Sequence, residues 1–121
     1  CIYYGTEIAM EGGHDPDCRR CMPWQELDSE ENRQRIAEMK KLISLRKQEP
    51  SFKSLYFHFP GNYQEKRCVE YIKLDEQNQK TEVLLNCSED SIKVEEQGEI
   101  LFARGYMNGS LAKNGTLIRR I

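Results

Sequence analysis

The stretch KRCVEYIKLDEQNQKTEVLLNC, residues 66–87, is the part of the chain that most directly decides the fold class. It contains two runs of β-branched, aromatic and aliphatic residues, 66–74 and 80–87, separated by the polar segment 75–79. Runs of this length between turn-forming residues are typical of β-strands. In the first run the apolar residues alternate imperfectly with polar ones, so the face that points inward stays open.

Four more runs of the same kind flank this pair, each bounded by Gly, Pro, Asn, Asp or Ser. Six short strands at such spacing, joined by turn chemistry, predict an antiparallel β-sandwich over residues 51–121. The longest predicted break runs from Asn108-Gly109 through Asn114-Gly115. The four additional predicted strands are 54–59, 91–96, 99–103 and 115–121.

A single helix is predicted ahead of the strands. Asp28 followed three residues later by Glu31 resembles a capping box, which marks a helix start. The helix should end near Gln48, because Pro50 disfavours helical geometry in the residue before it. The apolar residues recur at helical spacing, and we expect them to pack in a core: Ile36, Met39, Leu42, Ile43 and Leu45.

The first residues, CIYYG at 1–5, form an apolar and aromatic run that predicts a short buried strand. The Gly-, Asp- and Pro-rich segment 11–24 predicts a long loop. A strand, a loop and a helix followed by an all-β region is the arrangement expected at the end of a β/α barrel with an appended β domain. We therefore predict a barrel remnant at 1–50 and a β domain at 51–121. Because the chain begins at Cys1, we expect an excised fragment whose strand has lost its neighbours.

Composition excludes several classes of function. The 121 residues carry a net charge of −2 with 31% charged residues, so neither a basic surface for nucleic acid nor an acidic tail is expected. No apolar run approaches the ~18 residues of a membrane span. Five cysteines cannot all pair within one chain, which favours a reducing compartment and predicts a cytoplasmic location.

The segment IYYGTEIAMEGGHDPDCRRCMPW, Ile2 to Trp24, closely resembles the segment after the eighth barrel strand in glycoside hydrolase family 13. The nearest branch is the neopullulanase, cyclomaltodextrinase and maltogenic amylase group, in which an IYYGDEIG-type strand precedes a GG-x-DP-x-x-R-(R/K)-x-M-x-W loop. The resemblance implies a Greek-key C-terminal sandwich for the later strands. Thr6 stands where the family usually has Asp, and Ala9 where it usually has Gly.

The resemblance also implies an activity. Retaining cleavage of an α-glucosidic bond requires a nucleophilic carboxylate and a carboxylic acid ~5–5.5 Å apart. In the family these two groups, with a third acidic residue that aids substrate distortion, lie on barrel strands four, five and seven, all before the eighth strand. We therefore expect the chain alone to be inactive and to contain no catalytic residue, and we expect no metal or cofactor.

Two residues in the loop are candidates for binding substrate. Asp15 and Arg19 fall on the family's DP-x-x-R positions, which the resemblance implies bind the sugar two units toward the non-reducing end from the cleaved bond. The substrate would be an α-glucan or maltooligosaccharide. Trp24 either stacks on a sugar face or, as we favour, packs the loop against the helix.

Two alternatives to this prediction stay open. Cys18 and Cys21, preceded by His14, could begin a zinc site or a thiol module, although a fourth ligand is not evident. The β region could instead be a separate carbohydrate-binding module. Its binding face would then require coplanar exposed rings among four candidates, Tyr56, Tyr63, Tyr71 and Tyr106.

Self-association is the last expectation. An orphan strand at the N-terminus and an apolar helix face that has lost its cover both favour contacts between copies of the chain. We therefore predict a homo-oligomer.

Overall fold

The computed structural model describes residues 1–63 and 67–121. The chain divides into two compact units, Cys1–Ser44 and Leu45–Ile121. The division falls inside α1 (Glu30–Gln48), the only α-helix among the described residues. No helix among the described residues is long and apolar enough to cross a lipid bilayer. The assignment of residues 1–50 to the end of a barrel stays a prediction.

The first unit contains three single-turn 3-10 helices, Thr6–Ile8, Asp17–Arg19 and Trp24–Glu26, before α1. The predicted strand over 1–5 is wrong for this structure: Ile2 and Tyr3 are 59% and 55% exposed and have no strand geometry. A strand requires a hydrogen-bonded neighbour, and the part of 1–44 that precedes α1 contains no other strand.

The helix α1 begins one residue later than the capping-box pattern predicts. Ser29 Oγ, rather than Asp28, accepts the hydrogen bond from the Asn32 backbone N–H at 3.3 Å, as an N-cap does. The predicted end at Gln48 is confirmed, because Glu49 adopts extended geometry with ψ 117° before the proline. The apolar stripe is less buried than expected: Ile43 is 38% exposed, and Ile36, Met39 and Leu42 are half-buried.

The second unit is an antiparallel sheet of six strands, and the predicted mainly β class is confirmed. The strands are β1 (Phe57–His58), β2 (Cys68–Leu74), β3 (Lys80–Asn86), β4 (Ile92–Lys93), β5 (Glu99–Met107) and β6 (Ser110–Arg120). Lys66, the first residue of one predicted strand, lies outside the described residues.

The strand β6 organises the sheet. The order is β1-β2-β3-β6-β4, and β5 also pairs with β6. At its start β6 pairs with β4, and from Thr116 to Arg120 it pairs with β3. All of these strands therefore belong to one curled sheet. The predicted sandwich, by contrast, would contain two separate sheets.

One hairpin joins the two longest strands. Asn108 and Gly109 both have positive φ, 48° and 70°, as the two central residues of a type I′ turn require. The second Asn-Gly pair does not end a strand. Asn114 also has positive φ, but it lies within β6, where the register against β5 is irregular between Leu111 and Thr116. The predicted long break is therefore a tight turn followed by a bulge.

A cluster of five buried apolar side chains lies on one face of the sheet. Its five members have at most 6% of their surface exposed, and Tyr63, Cys68 and Tyr106 pack against them. Burial of an aliphatic side chain of this size contributes ~1.5–3 kcal/mol, so each member of this cluster stabilises the second unit. The five residues are Leu84, Ile92, Val94, Leu111 and Leu117.

The same face buries charge. Glu70 and Glu82 are 4% and 3% exposed, and Arg119, which pairs with Glu82 across β3 and β6, is 1% exposed. Glu70 accepts hydrogen bonds from the Asn62 backbone N–H and side-chain amide, both at 2.9 Å. Val69 points the other way and is 43% exposed. In β2 a Glu therefore points inward and the neighbouring Val points outward. This explains why the alternation of apolar and polar residues did not identify the inward face of the strand.

A second polar network ties the residue after α1 to the sheet. Glu49, 4% exposed, accepts a hydrogen bond from Arg120 Nη2 at 2.8 Å and one from Thr81 Oγ1 at 3.3 Å. Ser51 Oγ bonds to Thr81 Oγ1 at 2.7 Å, and both residues are fully buried. All of these groups have partners, so burying them does not leave a desolvated polar atom unpaired.

Candidate functional site

The loop before α1 brings Asp15 and Arg19 together. The single-turn helix Asp17–Arg19 reverses the backbone just after the cis Asp15-Pro16 peptide bond. This places Arg19 Nε 2.8 Å from Asp15 Oδ1. The side chains are 70% exposed for Asp15 and 62% for Arg19, so the pair can meet a ligand from solvent.

Among the residues that the structure describes, only one oxygen of this carboxylate has a partner. Asp15 Oδ1 forms the ion pair with Arg19 and accepts a hydrogen bond from Cys18 Sγ at 3.8 Å. In the stretches 1–63 and 67–121, Asp15 Oδ2 and the Nη groups of Arg19 make no hydrogen bond. The pair therefore offers an acceptor beside donors, an arrangement that suits the vicinal hydroxyls of a sugar.

A second acid–arginine pair holds the loop in shape. Asp17 accepts two hydrogen bonds from Arg20, at 2.7 and 2.6 Å, and one from the Gly13 backbone N–H at 2.8 Å. These donors, Arg20 first and Gly13 second, lower the pKa of Asp17. This pair was not predicted, although the i, i+3 spacing of opposite charges in the sequence was a signal for it. Tyr4 Oη donates to the Arg20 carbonyl at 2.9 Å and fixes the loop further.

The first turns of α1 support the backbone behind the loop. Arg35 donates from Nη1 to the Ile8 carbonyl at 2.8 Å, and the Asn32 side-chain amide donates to the Glu26 carbonyl at 2.9 Å. Between these contacts lies an open groove of about 500 Å³, and Arg20 lies in its wall. The loop is thus anchored at both ends, which keeps its geometry without help from a ligand.

The two positions that depart from the family pattern have different structural consequences. Ala9 adopts φ 54° and ψ 42°, a left-handed conformation that glycine adopts without strain. This geometry explains a preference for Gly at that position. Thr6 is exposed and begins the helix Thr6–Ile8, which forms with Thr in place of the usual Asp.

The structure gives no support to a zinc site at Cys18 and Cys21 or to the predicted packing of Trp24. No group of three or more His, Cys, Asp or Glu side chains in the described parts of the chain is arranged to hold a metal ion. Cys18 and Cys21 are exposed free thiols. Trp24 is 69% exposed, so the prediction that it packs the loop on the helix is wrong.

The tyrosines do not form a flat binding face. Tyr56 is 73% exposed, whereas Tyr63, Tyr71 and Tyr106 are half-buried against their own unit. The coplanar set of exposed rings that a carbohydrate-binding module would require is absent from these four residues.

Comparison with known proteins places these features in context. The chain is 38% identical over 96 residues to the maltogenic α-amylase of Bacillus acidopullulyticus, covering 77% of this chain and 16% of that protein. It is 35% identical over 117 residues to the cyclomaltodextrinase of Thermoanaerobacter pseudethanolicus, covering 84% of this chain and 20% of that protein. No protein-family model matches the chain.

A solved structure has the same architecture. The crystal structure of an Anoxybacillus α-amylase aligns with a TM-score of 0.67 and 27% identity, covering 98% of this chain and 28% of that one.

The chain spans between about a sixth and a fifth of the length of the maltogenic α-amylase and the cyclomaltodextrinase that it matches.

Proposed function

We propose, on the premise that this chain belongs to the α-amylase family, glycoside hydrolase family 13, that it is a C-terminal part of an α-glucan-cleaving enzyme. In this proposal the β unit is a structural domain of the sandwich type. The loop supplies one wall of a sugar subsite, and the bound molecule is an α-glucan or maltooligosaccharide.

The observation that supports the subsite most directly is the geometry of Asp15 and Arg19. Their side chains are exposed and held 2.8 Å apart, and each keeps hydrogen-bonding capacity toward solvent. A hydrogen bond to a charged group contributes ~1.5–3 kcal/mol when it is made on binding. Because the pair is already formed, binding a sugar would not require the loss of conformational entropy that assembling it would cost.

The chain would contribute to binding rather than to bond cleavage. Cleavage requires two carboxyl groups that reach the same glycosidic bond. Glu70 and Glu82 are close enough to interact, but both are almost completely buried and cannot contact a polysaccharide. We therefore propose that the catalytic carboxylates belong to residues outside this chain, and that the chain alone does not hydrolyse α-glucans.

The direct test is residue-resolved NMR of the 121-residue chain titrated with maltoheptaose. We expect the signals of Asp15 and Arg19 to shift, and Asp15→Asn and Arg19→Met to weaken this response at least several-fold. Glu89→Gln is the matched control, because it neutralises an exposed carboxylate far along the sequence and should leave the response unchanged. Absence of any shift in the loop at millimolar maltoheptaose would count against the subsite.

Two further expectations accompany this function. Apolar side chains near the start, Ile2, Tyr3 and Tyr4, are 59%, 55% and 41% exposed and favour contacts between copies, so we propose a homo-oligomer. Light scattering should then give a mass above the 14.2 kDa of one chain. A concentrated sample that stays monomeric would refute it.

We also propose a cytoplasmic location. All five cysteines are free thiols, which a reducing compartment preserves. Fractionation of the source cells should recover the protein in the cytoplasm with five titratable thiols. Recovery from the medium or with disulfides would overturn this.

A further inference from the structure

The second unit has an exposed aromatic ring at Tyr56. Tyr56 is 73% exposed and Leu55 90% exposed, at the point where the chain enters β1. Two grooves meet at these residues, with volumes of about 510 and 460 Å³. Both grooves are lined by Leu55, Tyr56, Asp75 and Glu76, so they share the surface around this ring.

The backbone under this ring is fixed. The Tyr56 N–H donates to Ser54 Oγ at 3.0 Å, and the Tyr56 carbonyl accepts from the Leu74 N–H at 3.2 Å. The second bond extends the pairing of β1 with β2 by one residue. An aromatic ring on a fixed backbone loses little conformational entropy when a ligand covers it.

The facing wall is the turn between β2 and β3, and it is equally well ordered. Asp75 Oδ1 accepts from the backbone N–H groups of Gln77 and Gln79, at 2.9 and 2.8 Å. Glu76 and Gln77 are exposed, and their side chains make no hydrogen bond with the described part of the chain. The wall therefore presents a carboxylate and an amide that can both accept hydrogen bonds, and the amide can also donate.

These features select the chemical class of ligand. Asp75 and Glu76 line both grooves and Lys53 lines only one, so the walls disfavour an anion. Leu55 and the ring offer an apolar surface that a small cation does not need. A neutral polyol with one apolar face matches both walls, because the ring covers the C–H face of a pyranose while the turn binds its hydroxyls. Two grooves that share one ring in their lining suit a ligand that extends beyond a single sugar.

We propose that Tyr56, with Glu76 and Gln77 opposite, forms a second binding site for α-glucan chains, separate from the Asp15 and Arg19 site. The identity of the sugar as an α-glucan rests on the proposed function. The site itself rests on the ring, the grooves and the turn. It would retain a glucan on the β unit, without acting on its bonds.

The test is the same maltoheptaose titration read at different residues. We expect shifts in the backbone signals of Tyr56, Glu76 and Gln77, and a loss of about tenfold in affinity at this site in Tyr56→Ala, equivalent to ~1.4 kcal/mol. The Asp15 and Arg19 signals should respond in that variant as they do in the original chain. The two sites can therefore fail independently.

Two controls complete the design. Phe59→Ala removes a ring that is 63% exposed but lines neither groove, and it should leave the Tyr56 site unchanged. Cellohexaose, a β-linked glucan, should bind there at least several-fold more weakly than maltoheptaose. The proposal is overturned if Tyr56 and Glu76 do not shift, if Tyr56→Ala binds as tightly as the original chain, or if cellohexaose binds equally well.

Discussion

Arg119 on β6 donates from Nε to Glu82 Oε2 on β3, in an ion pair whose side chains are only 1% and 4% exposed. Arg119 also donates to the Glu95 carbonyl, so its guanidinium is satisfied by two separate segments. A charge pair removed from water to this degree stabilises a fold only while both partners are present.

Removal of the guanidinium should therefore be costly. We expect Arg119→Met to lower the free energy of unfolding by ~3–5 kcal/mol, because Glu82 would be left buried without its cation. Urea unfolding followed by circular dichroism measures this. Combining the change with Glu82→Gln should recover part of the loss, which distinguishes an uncompensated charge from lost packing.

The matched control is Lys113→Met, which breaks the exposed ion pair between Lys113 and Glu89. An exposed pair contributes about 0–1 kcal/mol, so this variant should unfold almost as the original does. Equal losses from Lys113→Met and Arg119→Met would show that burial is not the cause.

The same cluster predicts a pH dependence. Burial raises the pKa of Glu82, and although Arg119 acts in the opposite direction, Glu70 adds to the rise. The folded unit thus binds a proton at Glu82 more tightly than the unfolded chain does. This contribution to stability is complete below the ordinary pKa of 4.5 and is lost as pH rises through the raised value.

Glu82→Gln cannot titrate and should lack this component. The stability of the original chain relative to the variant should fall as pH increases from about 4.5 toward neutrality. Urea unfolding of both proteins at a series of pH values measures the difference, in which contributions from groups that do not interact with Glu82 cancel. Parallel stability curves would contradict the prediction.

Ala9 offers a stabilising substitution. Its φ of 54° is a left-handed conformation that costs an L-residue roughly 1–2 kcal/mol, and glycine adopts it at little cost. After the greater entropy that Gly loses on folding, we expect Ala9→Gly to stabilise the first unit by about 0.5–1 kcal/mol. Hydrogen exchange of the amides in 1–44 measures the local effect.

Ala37→Gly is the control for this change. Ala37 is exposed within α1, where glycine should instead destabilise by about 1 kcal/mol. If Ala9→Gly also lowers protection, the left-handed conformation is not a source of strain.

The cysteines should differ in reactivity. Burial raises the pKa of Cys68 to about 11, while Cys1, Cys18, Cys21 and Cys87 are exposed. Only the thiolate reacts, so at pH 8 the fraction of reactive Cys68 is about a hundredfold below that of a thiol with the ordinary pKa of 9.0. We expect four fast thiols and one slow thiol toward a disulfide reagent, and Cys68→Ser should remove the slow phase. A single phase with five thiols would contradict this.

The strands and the helix were predictable because their signals are local. Pro50 ends α1 through its effect on the preceding residue, and Asn108-Gly109 makes a two-residue turn from its own φ preferences. The identical dipeptide Asn114-Gly115 gave the same signal but lies in a bulge, because β6 continues past it to pair with β3. Only the long-range pairing distinguishes the two.

What the sequence could not provide depends on contacts between distant residues. From its residue type alone, Glu70 would be expected at the surface. In the structure it is buried, with Asn62 and the Glu82–Arg119 pair around it. Asp15 and Arg19 were predictable as a pair through the resemblance to a family. Asp17 and Arg20 stabilise the loop of this pair, and hydrogen bonds fix the turn that faces Tyr56. Neither feature was predicted from the sequence.

The central position of β6 has a consequence for how the chain is made. Of the six strands it is the last in chain order, yet it pairs with β3, β4 and β5. During synthesis β1, β2 and β3 therefore leave the ribosome as a meander whose inner edge has no neighbour, and the sheet closes only when Ser110–Arg120 emerges. Until then the open edge of β3 is the part of this unit most exposed to pairing with another chain.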